Sequence, residues 1–277
     1  MSALDEVFNE FVSDLRRVQD LLGLIKSFRE FGSSSAPEEI QSQSIVWKEA
    51  VDLKEAAPGL RTDLPLLSGS MVLYMCGRFE YFVRQLVELM GDEIASNSAD
   101  YMALPDSLRN ELKRRTLEIF QTPKKYRYSQ TEAEALLLDL ARNLDGQAGA
   151  GPIVIQSKIL AITELNMRPE VLAELFKRLG IKDLWRELGK QARLKILLHK
   201  QDDAECTKAA QAELDELMDL RNQIAHPTGG TAFPDPDQVV QMTRYLEALG
   251  RVLADHCHVY LSGFTAADDD TALGASA

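Results

Sequence analysis

The residues best placed to do chemistry lie in "ELMDLRNQIAHPTGG", residues 216–230. Arg221, Asn222 and His226 fall within six positions, and Pro227, Gly229 and Gly230 follow. On a 3.6-residue turn counted from Leu214, the residues Leu214, Leu217, Met218, Leu220, Ile224 and Ala225 form one apolar stripe, and Arg221 falls near its middle. Asn222 and His226, at i and i+4, share the flank of that stripe, and the Pro-Thr-Gly-Gly run stops the helix. An imidazole, with a reference pKa of about 6.5, can take or give a proton near neutrality. A guanidinium can pair bidentately with an anion, and an amide can both donate and accept hydrogen bonds. In a continuous helix Arg221 and His226 point about 140° apart. One chain cannot easily aim both at one group, whereas two copies across a two-fold axis could.

An arginine in an apolar stripe needs a carboxylate or a half-wet surface, because an unpaired buried charge is costly. The candidate carboxylate is Glu80. It falls at the edge of the apolar face formed by Val72, Leu73, Cys76, Phe79, Val83, Leu86 and Val87 in an earlier helix. An architectural reading stays open at this point: a buried Glu80–Arg221 bridge, His226 favouring the helix dipole, and Asn222 merely exposed.

The elements that must position these residues all read as helices, from 3.6-period apolar spacing with little alternation. The spacing predicts helices over about 2–31, 37–57, 66–95, 105–120, 131–145, 153–166, 169–179, 182–199, 202–226 and 237–262. The expected fold is all-α: an elongated up-and-down bundle built on 66–95, 202–226 and 237–262, with the shorter helices as an elaborated crossover. Residues 1–60 are expected as an N-terminal helical extension, 61–264 as the helical domain, and 265–277 as an acidic tail without structure.

Hydrophobic residues make up 45% of the 277, enough for a large core, and no apolar run reaches the roughly 20 residues of a membrane span. Together with the lack of a signal-like N-terminus, this leads to an expected cytoplasmic location and no membrane partner. Cys76, Cys206 and Cys257 are odd in number and widely spaced, which argues against a disulfide framework or a zinc site. The net charge of −12 is unfavourable for nucleic acid, but the charge is segregated by sign. Residues 109–128 carry seven basic side chains against Glu111 and Glu118, and residues 201–220 carry seven acids against Lys208.

"RNQIAH" resembles the signature of the HEPN superfamily, an Arg followed after roughly four to six residues by a His, usually with a polar residue directly after the Arg. "GRFEYFVRQL" early, "ELFKRLGIKDLW" in the middle and "RNQIAH" late are similar in order to the branch of RiboL-PSP-HEPN and MAE_28990-like domains, over roughly residues 66–262. Pro227 stands where that branch often has Gly. The resemblance implies a metal-independent endoribonuclease without a cofactor, working as a homodimer with the motif of both copies lining one cleft. Arg221, Asn222 and His226 would be catalytic, with Glu80 supporting Arg221. The RNA 2′-hydroxyl would attack the adjacent phosphate, leaving a 2′,3′-cyclic end and sparing DNA. Many relatives look like toxins or antiphage effectors, so an antitoxin or other regulatory protein is a further candidate partner. The alternative is a HEPN-like module without catalysis that dimerises or binds a partner or nucleotide.

"TPKKYRYSQ" interleaves Lys124, Lys125 and Arg127 with Tyr126 and Tyr128, the mixture that tracks phosphates and stacks on bases, and it is the candidate RNA-contacting segment. A solvated loop explains it equally well. His256, Cys257 and His258 are consecutive, so on a helix they point about 100° apart and do not converge on one metal ion. His199 reads as a helix-terminal residue. "GQAGAGP" lacks the spacing of a phosphate loop.

Overall fold

A computed structural model describes residues 2–35, 48–60, 63–145 and 153–274. Among them every regular element is helical. The α-helices are α1 (Ala3–Ser33), α2 (Lys48–Leu60), α3 (Leu64–Ser96), α4 (Asp106–Gln121), α5 (Gln130–Asp145), α6 (Pro169–Arg178), α7 (Leu184–Gly189), α8 (Ala192–Leu198), α9 (Asp203–Ala225) and α10 (Pro236–Gly274). No helix among the described residues is long and apolar enough to cross a membrane.

Local signals explain the ends of the long helices. Ser2 and Asp5 form a capping box at the start of α1. Asp202 caps α9 by accepting the N–H groups of Ala204 and Glu205, each at 2.9 Å. Helix α3 runs through the centre, packed by α1, α9 and α10. Its buried face, Val72, Met75, Cys76, Phe79, Val83, Leu86 and Val87, follows the 3.6-residue period and feeds one continuous core. Phe11 of α1 stacks on Phe82 of α3 with ring centroids 4.7 Å apart, and Phe8 meets the same ring edge-on. Asp14, buried on α1, is satisfied by Tyr74, Arg17 and Arg78, so its charge does not stand alone. Helix α1, expected to belong to an extension, therefore shares the core of the bundle.

Three stretches differ from the sequence-based expectation. Residues 153–166 are not an α-helix: Ile153 to Gln156 carry no helical structure, Ser157–Ala161 is one 3₁₀ turn, and an irregular segment leads to α6. Three successive β-branched residues, Ile153, Val154 and Ile155, disfavour a helix, and the turn instead buries Ile159 and Leu160 against α3. The helix expected over 182–199 is two pieces, α7 and α8, with Gln191 extended between them. Gly189, at the break, sits so close to α9 that a Cβ there would lie 2.0 Å from Thr207 Oγ1. The backbone of α10 stays helical through Gly274, where the acidic tail was expected without structure. Ala266, Ala267 and Ala272 favour continuation of an existing helix. Residues 275–277, "GQAGAGP" and most of the expected break and helix start around Pro37 fall outside the described residues.

Candidate functional site

Helix α9 presents Arg221 and Asn222, both half-buried, on its last turn. The helix stops at Ala225. His226 takes φ −126° and ψ 66°, its backbone N–H still bonded to the Asn222 carbonyl at 3.0 Å, while its side chain is exposed at the rim. The following turn is closed by the Thr228 N–H donating to Thr231 Oγ1 at 2.8 Å and the Thr231 N–H donating to the Thr228 carbonyl at 3.0 Å, so Pro227 is accommodated without any glycine at its position.

Phe233, beyond that turn, and Ile224, before it, lie on α3 at Gly69. A Cβ at Gly69 would come within 2.5 Å of Phe233 Cδ1 and 3.4 Å of Ile224 Cγ2, so only glycine lets this segment approach α3 as closely as it does. Gly69→Ala gains about 1 kcal/mol of helix propensity but overpacks by about 1–3 kcal/mol. The expected result is a net loss of up to about 2 kcal/mol in urea denaturation, with the segment bearing His226 displaced.

The expected Glu80–Arg221 bridge does not form. Glu80 Oε1 accepts from Arg84 Nη2 at 2.5 Å, one turn further along the same helix. Glu80 and Arg221 both lie within electrostatic reach of the Cys76 thiol. Burial pushes that thiol up to about 12, Arg221 draws it down and Glu80 pushes it up. Arg221 bonds instead to a neutral acceptor: its Nη1 donates to Asn222 Oδ1 at 3.2 Å. The same oxygen accepts from Asn166 Nδ2 at 2.6 Å. Asn166 lies 56 residues earlier, in the irregular segment 162–168, and nothing in the sequence singles it out.

That segment is pinned on three sides. Arg168, at its end, is clamped by Asp215 and Asp219 of α9. At its beginning, Arg178 Nη1 donates to the carbonyls of Leu160 at 2.7 Å and Ile162 at 2.9 Å. Between them, Glu164 pairs with Lys125 Nζ at 2.5 Å. Glu164 and Asn166 are two residues apart, so their backbones are separated by at most about 7 Å. One short segment thereby contacts both the candidate basic segment and the α9 motif. In the basic segment, Pro123–Tyr126 forms a 3₁₀ turn, Arg127 adopts a left-handed backbone with φ 62°, and Lys125 lies over the Tyr126 ring at 5.0 Å. Lys124 and Arg127 are exposed.

A family model described as RiboL-PSP-HEPN matches residues 46–258, well over half of the chain. The chain belongs to the RiboL-PSP-HEPN family. The match begins earlier than the resemblance around "GRFEYFVRQL" indicated, so α2 lies inside the family region, and "RNQIAH" lies near its end. No curated protein and no solved structure matches the chain. In this RiboL-PSP-HEPN chain the other histidines are dispersed. Cys257 is fully buried, His258 Nε2 meets Ser2 Oγ at 3.1 Å, burial pushes His256 down, and His199 caps α8 with a left-handed backbone.

Proposed function

We propose that this protein is an endoribonuclease of HEPN type whose site is completed by a second copy of the chain. The observation that carries the reading is the state of Arg221. It is half-buried on a bundle helix, yet the carboxylate that would make it architectural is bonded to Arg84, and its own acceptor is the neutral Asn222. Its remaining donors suit a phosphate, which a guanidinium meets with two parallel bonds. Asn222, whose Oδ1 also accepts from Asn166, is the hydrogen-bond acceptor for the guanidinium. A buried Glu80–Arg221 bridge would have favoured the non-catalytic alternative.

In the proposed reaction the RNA 2′-oxygen forms a bond to the neighbouring phosphorus and its proton passes to a His226 imidazole. The P–O5′ bond breaks, and the departing 5′-oxygen takes a proton from an imidazolium. Arg221 neutralises the charge that gathers on the phosphoryl oxygens. An internal nucleophile, a base and a fixed cation suffice for this chemistry. His226 at the rim and Arg221 facing α3 support a site shared between two protomers. A surface for the second copy is available on α3, where Leu67, Tyr74 and Tyr81 repeat at seven-residue intervals and remain exposed. Lys124, Lys125, Tyr126 and Arg127 are proposed to contact the strand. A toxin or antiphage role, with a regulatory protein holding the dimer in check, is the setting we infer for such an activity.

The test is incubation of concentrated wild-type protein with tRNA, rRNA and matched DNA, followed by end-group analysis. The expected products carry 2′,3′-cyclic phosphate and DNA stays intact. Intact RNA across that panel would contradict the reading.

A further inference from the structure

Two cavities of about 580 and 380 Å³ meet at the Lys125–Glu164 ion pair, which with Tyr126 and Thr163 lines both. They differ in electrostatic state. In the larger one Arg114, Arg115 and Arg178 are consumed by Glu111 and Glu118. The smaller one sets Arg84, Lys125, Arg127 and Lys158 against Glu88 and Glu164. Among the described residues neither Arg127 nor Lys158 has an ion-pair partner, and both are exposed. Arg84 spends Nη2 on Glu80, but its Nε is buried without any acceptor. Burial pushes the Glu88 carboxyl up against the opposing pull of Lys158 and Arg84. The wall therefore offers unused donors in a volume within the roughly 300–1,000 Å³ typical of ligand pockets.

One connection joins this cavity to the α9 motif: Glu164, which lines it, is two residues from Asn166, and Asn166 bonds Asn222. Arg84 and Lys158 line the cavity together with the Tyr126 ring, a face on which a base can stack.

We propose that the smaller cavity is a subsite for the single-stranded RNA flanking the cleaved bond, in which a phosphodiester displaces Glu164 from Lys125 and engages Arg84, Arg127 and Lys158. This rests on the ribonuclease reading for its substrate, and it assigns Glu164 as a built-in competitor for that phosphate. Several cations beside an aromatic ring favour nucleic acid over an acidic peptide.

The test measures binding without cleavage, by fluorescence anisotropy of a 12-nucleotide 2′-O-methyl RNA on full-length protein at several salt concentrations. Arg127→Glu combined with Lys158→Glu is expected to weaken binding at least about tenfold and to reduce the magnitude of the log–log salt slope by about 1.4. Glu164→Gln is expected to tighten binding about threefold or more, a gain that a merely structural role for Glu164 would not produce. A double variant within twofold of wild type with an unchanged slope would overturn the proposal. So would Glu164→Gln without tightening, or a 12-residue polyglutamate peptide that displaces the RNA at equal concentration. RNA binding with this pattern but no cutting would sink the ribonuclease reading alone, whereas cutting with groove-independent binding would sink this subsite alone.

Discussion

His226→Ala is expected to reduce RNA cleavage by about 10²- to 10⁴-fold, the usual range for loss of a general acid or base. The imidazole is exposed beyond the end of α9, so the thermal midpoint and oligomeric state should match wild type, with stability within about 0.5 kcal/mol. Arg221→Ala tests the other half of the argument. If Arg221 balanced a buried carboxylate, its removal would strand a charge at a cost of about 3–5 kcal/mol. Because Glu80 is bonded to Arg84 and Arg221 bonds only a neutral amide, the expected cost is about 1 kcal/mol, while cleavage falls at least about a hundredfold. Calorimetry and initial-rate measurements on the same preparations separate the two effects.

The largest stability effect is expected far from the motif, at Glu111. This carboxylate on α4 is buried and meets Arg114, Arg115 and Arg178, of which Arg115 and Arg178 are themselves buried. Glu111→Ala leaves those guanidinium groups in the interior without their common partner, and about 3–5 kcal/mol of stability should be lost in denaturant titration. The loss should also reach the site, because Arg178 holds the carbonyls of Leu160 and Ile162 at the start of the segment that carries Asn166. Burial alone would push the Glu111 carboxyl up. The hydrogen bonds from Arg114, the charge of Arg178 and the bonds from Arg115 outweigh it and hold the carboxyl below its usual 4.5. A folded-state value below the unfolded one stabilises the protein above the unfolded value, and that contribution is lost as pH falls through the folded one. The wild-type melting temperature should therefore drop more steeply below about pH 4.5 than that of Glu111→Gln.

The bundle was readable from the sequence where apolar spacing was dense. Helices α1, α3, α4, α5, α6 and α9 begin and end within a few residues of expectation, because their core faces repeat at 3.6 residues over several turns. The segment 153–168 was not readable. Its apolar residues come in a short run that a helix and an extended crossover can both use, and the choice is made by contact with α3. The same limit applied at the site. The spacing suggested that Glu80 and Arg221 pair, but a local i,i+4 partner, Arg84, takes Glu80 at no cost in chain ordering. Asn166 could not be found at all. A polar residue in an irregular segment carries no periodic signal, and its link to Asn222 exists only through the tertiary fold. Gly69 was similarly silent, because the ring that requires it comes from Phe233.

The two-protomer site is tested most directly by mixing inactive variants. Arg221→Ala and His226→Ala proteins, unfolded together and refolded as a random mixture, should regain RNA cleavage. Each mixed dimer then contains one site that draws an intact Arg221 from one protomer and an intact His226 from the other. With about half of the dimers mixed and one of two sites intact in each, activity should return to roughly a quarter of wild type, against near-zero rates for either variant refolded alone. A refolded mixture that contains mixed dimers and yet cuts no faster than the two variants separately would contradict the account.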